Sequence, residues 1–139
     1  MPFTHRVDVR YLEVDQQGVV FNMWYLAYFD DAMTGFLAAG GLPYTRMRDA
    51  GYDVMLVHTE LDWTDGARFG DHVEVDVELA ATGRTSFTLG FTVRVGATEV
   101  CTARTVYVCV GTDGSGKRPL PDQLRNALAG SAAASDVAR

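Results

Sequence analysis

The clearest pattern in the chain is strict alternation over residues 72–79. Val73, Val75, Val77 and Leu79 interleave with His72, Glu74, Asp76 and Glu78, so an extended strand here has one apolar and one acidic face. Residues 85–95 repeat the period, with Phe87, Leu89, Phe91, Val93 and Val95 on one side. Ala81-Thr82-Gly83-Arg84 supplies a turn between the two, and Gly96-Ala97-Thr98 the next reversal. Residues 99–110 form a long β-branched run that stops at Gly111-Thr112-Asp113-Gly114-Ser115-Gly116. Three long strands joined by short turns predict an antiparallel meander.

The period changes over residues 22–39. Leu26, Phe29, Met33, Phe36 and Leu37 follow three-and-four spacing, which predicts a helix with one wide apolar stripe. Asn22 suits its N-cap, and Gly40-Gly41 with Pro43 stops it. Gly35 inside the helix costs roughly 1 kcal/mol against alanine. Residues 5–14 predict a strand before the helix, through Val7, Val9 and Tyr11. Residues 44–50 predict a short helix after it, residues 52–63 a further strand, and residues 121–128 an amphipathic turn or two. One helix cannot cover both faces of a five-stranded sheet. The expected fold is therefore α+β, with an antiparallel five-stranded sheet wrapped around one long central helix. Such a sheet has open edges, which invite pairing with a second copy. One domain over residues 1–129 is expected. Residues 130–139 are small and polar and read as a flexible tail.

Charge and cysteine usage narrow the function. The 139 residues carry a net charge of -6, and the basic residues are scattered with no run. That argues against a nucleic-acid partner, which needs a basic stripe. Cys101 and Cys109 fall eight residues apart in one strand, roughly 26 Å, out of disulfide reach. Free thiols and no recognisable leader point to the cytoplasm. No apolar run approaches the ~20 residues of a membrane span. His5, His58 and His72 lack metal-ligand spacing, so no metal and no cofactor is expected.

Residues 9–32 read VRYLEVDQQGVVFNMWYLAYFDDA. A strand runs into Asp15-Gln16-Gln17-Gly18, then an apolar link, then the helix with Tyr25-Leu26 and Phe29. The segment resembles the signature of the 4-hydroxybenzoyl-CoA thioesterase-like branch of hotdog proteins. Downstream, Ala67-Arg68-Phe69-Gly70-Asp71, Gly83-Arg84-Thr85-Ser86-Phe87 and Arg118-Pro119-Leu120-Pro121 resemble the same family's later loops, in order. The resemblance implies a hotdog fold, hydrolysis of acyl-CoA or aroyl-CoA thioesters, and a homodimer or homotetramer with sites between subunits. It assigns the catalytic carboxylate to Asp15. The oxyanion donor, seven residues on, maps to the backbone N–H of Asn22.

The residues support that chemistry independently. Thioester hydrolysis needs a nucleophile or base and a partner for the developing oxyanion. Asp15, at a strand-to-loop junction, can attack the carbonyl or activate water. A helix opening near Asn22 offers unpaired N–H groups and the positive end of a macrodipole. Gly18 suits a positive φ or a close backbone approach to ligand. Trp24, Tyr25, Met23 and Phe69 are candidates for the acyl pocket. Arg68, Lys117 and Arg118 are candidates to offset the anionic coenzyme. Glu13 and Glu60 are alternative carboxylates, Glu13 sharing the face of Asp15 if the strand is extended. Two departures from the family stand out. The link Val19-Val20-Phe21 lacks the usual His or Asn, and Gly66-Ala67 stands where Pro-Ala is common. Two other readings remain open: an acyl carrier protein as acyl donor, and a non-catalytic acyl-CoA-binding module.

Overall fold

The computed structural model describes the backbone of residues 3–137 and the side chains of residues 3–131. Five strands build one antiparallel sheet: β1 (Phe3–Asp8), β2 (Tyr52–Trp63), β3 (His72–Thr82), β4 (Ser86–Val95) and β5 (Thr98–Gly111). Their spatial order is β1-β3-β4-β5-β2. The meander β3-β4-β5 forms the centre, as the alternation predicts, with Val75 opposite Val93 and Val93 opposite Cys101. The long helix α1 (Trp24–Ala39) lies on the inner face, a short α2 (Tyr44–Asp49) follows it, and α3 (Asp122–Val137) packs beside α1.

The core is the apolar face of α1 against the inner rows of the sheet. Tyr25, Tyr28, Phe29, Ala32, Met33, Phe36 and Leu37 are the buried residues of α1. Phe29 stacks on Phe91 of β4 at 4.7 Å between ring centroids, and Phe36 meets Phe3 edge-on at 5.7 Å. Gly35 has a packing reason. A Cβ there would stand 3.2 Å from the Phe3 ring and 3.4 Å from His5, so the missing side chain lets α1 approach β1. No helix among the described residues is long and apolar enough to cross a membrane.

Four expectations need correction. The first strand ends at Asp8, and Tyr11–Glu13 form a 3₁₀ turn instead of its continuation. Glu13 drives the change: its carboxylate accepts the Arg10 N–H at 2.8 Å and closes the turn from within. Helix α1 starts at Trp24, and Asn22 lies in the turn before it. Leu26 is exposed, and Tyr25 and Tyr28 take the places of the predicted stripe at that end. Finally, the tail expected over residues 130–139 begins as helix. α3 continues to Val137, and the buried Ser131 hydroxyl donates to the Phe36 carbonyl. Ala138 and Arg139 lie outside the described residues.

Candidate active site

The strap between the 3₁₀ turn and α1 folds back on itself. Val14 pairs antiparallel with Val20, Asp15 N–H donates to the Val19 carbonyl at 3.0 Å, and Phe21 N–H to the Glu13 carbonyl at 2.9 Å. Gly18 turns the chain with φ of 78°, a conformation that glycine reaches without strain. Within that turn, Asp15 Oδ1 accepts the Gln17 N–H at 2.8 Å and the Asp15 carbonyl accepts the Gly18 N–H at 3.0 Å. The carboxylate is thereby held by one oxygen. Oδ2 has no hydrogen-bond partner among the described residues.

Asp15 lines an open groove of about 590 Å³ together with Tyr11, Val14, Gln16, Gly18 and Phe69. Phe69 and Tyr11 form its apolar wall, meeting edge-on with centroids 5.8 Å apart. Both are unusually exposed for aromatics, at 60% and 80%. The structure thus brings Asp15, Gly18 and Phe69 to one place. Tyr11 is an addition that the strand reading hid, because it treated the residue as one more alternating position.

The helix opening supplies the second half of the site. Met23, the residue before α1, already has helical φ and ψ of -64° and -28°. The chain winds in through hydrogen bonds from Trp24 N–H to the Phe21 carbonyl and from Tyr25 N–H to the Asn22 carbonyl, at 2.9 and 3.4 Å. The Asn22 side chain makes no cap bond. Among the described residues, the N–H groups of Asn22 and Met23 have no acceptor, so they stand ready for a ligand.

The remaining candidates separate. Tyr25 is 1% exposed, and its hydroxyl accepts the Ala67 N–H at 3.3 Å. It packs in the core and is not among the residues that line the groove. Trp24 is half-buried under the Arg10 guanidinium, which sits 5.7 Å from the ring centroid. Arg68 is exposed beside Phe69, its backbone N–H bonded to Asp71 at 2.8 Å. Lys117 and Arg118 lie beyond the far end of β5, where Arg118 donates to the Gly51 carbonyl at 3.3 Å. The nine strand steps of β5 from Cys101 to Val110, about 30 Å, separate them from the end where Tyr25 touches Trp63. Glu60 pairs with His58 at 3.2 Å on the outer surface.

Glu13 does not share the face of Asp15, because the 3₁₀ turn rotates it inward to 3% exposure. Burial alone would raise its pKa. Hydrogen bonds from the Arg10 N–H, the Tyr28 hydroxyl and the Arg10 guanidinium outweigh that and hold it below the usual glutamate range. The cysteines offer no competing nucleophile. Burial, with a lesser push from Asp62, drives the Cys101 thiol up to about 12, and burial raises Cys109 as well. Among the described residues, no group of three or more His, Cys, Asp or Glu could hold a metal ion.

The two departures from the family pattern meet each other. A Cβ at Gly66 would stand 2.8 Å from Cγ1 of Val19. The branched side chain in the link therefore fits against the residue without one in the loop. Val20 N–H completes the junction on the Ala67 carbonyl at 2.8 Å.

Comparison with known proteins identifies the family. The model of the thioesterase-like superfamily matches residues 9–128. A 1,4-dihydroxy-2-naphthoyl-CoA hydrolase from Synechococcus elongatus is 27% identical over 122 residues, which cover 86% of this chain and 90% of that protein. The crystal structure of a hypothetical protein from Aquifex aeolicus superposes with a TM-score of 0.87 at 30% identity, covering 91% of this chain and 99% of the other. A 1,4-dihydroxy-2-naphthoyl-CoA thioesterase from Synechocystis, at 22% identity, shares the fold with a TM-score of 0.82 over 93% of this chain and 96% of its own. The chain belongs to the thioesterase-like superfamily and is a thioester hydrolase of the hotdog fold.

Proposed function

We propose that this hydrolase cleaves acyl-CoA or aroyl-CoA thioesters, with the Asp15 carboxylate as nucleophile or general base and the backbone N–H of Asn22 as oxyanion donor. One observation carries the reading. Among the described residues, Asp15 keeps a carboxylate oxygen unengaged in an open groove, on a strap whose other end leaves the Asn22 and Met23 N–H groups without an acceptor. As a nucleophile, Asp15 adds to the thioester carbon, and the oxyanion draws on the helix opening. Collapse expels the coenzyme A thiolate, which takes a proton from solvent, and leaves a mixed anhydride. Water then cleaves the anhydride and restores the carboxylate. As a base, Asp15 takes a proton from water, which attacks the same carbon directly. Gly18 keeps the turn free of a side chain where the substrate passes. Phe69 and Tyr11 offer flat apolar walls, which suits an aroyl group such as the one named for the Synechococcus hydrolase. Arg68, exposed next to Phe69, supplies positive charge for an anionic coenzyme in a chain of net charge -6. The active unit is a homodimer or homotetramer built on the single hotdog domain.

The test is a hydrolysis screen over acyl- and aroyl-CoA thioesters with thiol detection. Wild type turns over at least one class. Asp15→Ala lowers kcat by about a thousandfold or more, in the range of lost nucleophiles and bases, while CoA binding and the unfolding midpoint stay near wild type. Turnover by Asp15→Ala at the wild-type rate removes the assignment. A wild type that binds acyl-CoA and hydrolyses none favours a binding module instead. Single turnover in isotopically labelled water separates the two roles, since only the nucleophilic route puts label into Asp15.

A further inference from the structure

We propose that Glu13 is a positioning residue for the Asp15 reaction, bracing the catalytic strap against the first two turns of α1. The inference rests on the reading of Asp15 and Asn22 given above. Four hydrogen bonds converge on the Glu13 carboxylate: from Arg10 N–H at 2.8 Å, Arg10 Nε at 3.1 Å, Arg10 Nη2 at 3.0 Å and the Tyr28 hydroxyl at 2.9 Å. Arg10 in turn lies over Trp24. Trp24 and Tyr28 are four residues apart and share one face of α1. The carboxylate thus grips the helix at two points a turn apart, one directly and one through Arg10.

The backbone of Glu13 completes the brace. Its carbonyl accepts the Phe21 N–H at 2.9 Å, the residue before Asn22, and Asp15 follows two residues later. Glu13 therefore stands between the two halves of the site, one rung from each. Nothing else in this stretch of strap is fixed by a buried charge. Tyr11 and Leu12 are exposed, and Val14 and Asp15 are only partly covered. Burial of the Tyr28 ring, followed by the neighbouring Glu13 charge, holds its phenol protonated far above neutral pH, so it remains a donor throughout the working range. Displacing reacting groups by about 1 Å can cost a hundredfold in rate, which sets the size of the effect to expect.

Five proteins are compared: wild type, Asp15→Ala, Glu13→Gln, Tyr28→Phe, and Val93→Ala as a core control in β4. Glu13→Gln keeps the volume and one acceptor but loses the charge and opposes an amide to Arg10. It is expected to lower kcat ten- to a hundredfold with KM within threefold, and to speed amide exchange at Gln17 and Gly18 at least tenfold. Val93→Ala, although less stable than wild type, keeps kcat within twofold and leaves those two amides unchanged. Tyr28→Phe, which removes one of the four bonds, falls between wild type and Glu13→Gln in both readouts. Glu13→Gln with kcat and strap exchange no different from the control overturns this inference and leaves Asp15 untouched. Full activity in Asp15→Ala overturns the parent reading, and this one with it.

Discussion

Among the described residues, Glu13 is the one charged side chain that the fold buries. A buried carboxylate survives only when its partners replace the water it has lost. Here the Arg10 N–H, the Tyr28 hydroxyl and the Arg10 guanidinium do so, and they overcome the opposing effect of burial on its pKa. The sign of the pH dependence follows from the lowered value. The stabilisation is fully present above the ordinary glutamate range and is lost as pH falls through the depressed native value. Glu13→Gln has no such proton to take up. The difference in unfolding free energy between wild type and Glu13→Gln should be about 2 kcal/mol at pH 7 and should shrink as the pH drops below the usual glutamate range. Urea unfolding of both proteins at several pH values measures it. A gap that stays constant into strong acid contradicts the network as described.

The elements show which physical signals reach the sequence and which do not. β3, β4 and β5 were legible because period-two alternation is set by the pleat and needs no distant partner. α1 was legible for the matching reason at 3.6 residues per turn. Asp15, Gly18 and Phe69 could be placed because the turn residues and the family pattern fall on short, local segments. The 3₁₀ turn at Tyr11–Glu13 was not legible. It is closed locally between Arg10 and Glu13 and anchored to α1 by a bond from Tyr28, 15 residues away, while the Val7, Val9, Tyr11 alternation runs straight through it. Tyr11 and the inward turn of Glu13 were hidden by the same long-range contact. The burial of Tyr25 was not legible because its partner, the Ala67 N–H, comes from a loop 42 residues on. The glycines after α1 carry a similar message. Gly40 reads as a helix stop, yet a Cβ there would overlap the Ala127 carbonyl of α3. Gly40→Ala must therefore separate two helices, and should cost about 2–3 kcal/mol, seen as a lower denaturation midpoint at an unchanged m-value. An unchanged midpoint would show that α3 yields at no cost.

The sheet as a whole ends on two unlike edges. β1 is 6 residues long and carries His5, Arg6 and Asp8, features that discourage pairing. β2 is 12 residues long, pairs among the described residues only with β5, and exposes Met55, Val57 and Leu56 at 55%, 51% and 38%. A long edge with exposed apolar side chains is a template for another strand, and a second copy meeting it about a two-fold axis closes the assembly without leaving a further edge of that kind. α1 packs toward β1 and β3, so the inner face near β2 gains least from the helix. A partner there would cover that face and lie close to Trp63, which touches the Tyr25 ring behind the Ala67 loop of the groove. Sedimentation equilibrium of the wild type should give twice the mass of the chain or a multiple of it. Val57→Lys places a charge in the irregular stretch between Leu56 and His58. It should shift the protein toward monomer, and hydrolysis should fall with the dimer fraction as the protein is diluted. A monomeric Val57→Lys with wild-type turnover would mean that each chain holds a complete site. A monomeric wild type would mean that the β2 edge is left open to solvent.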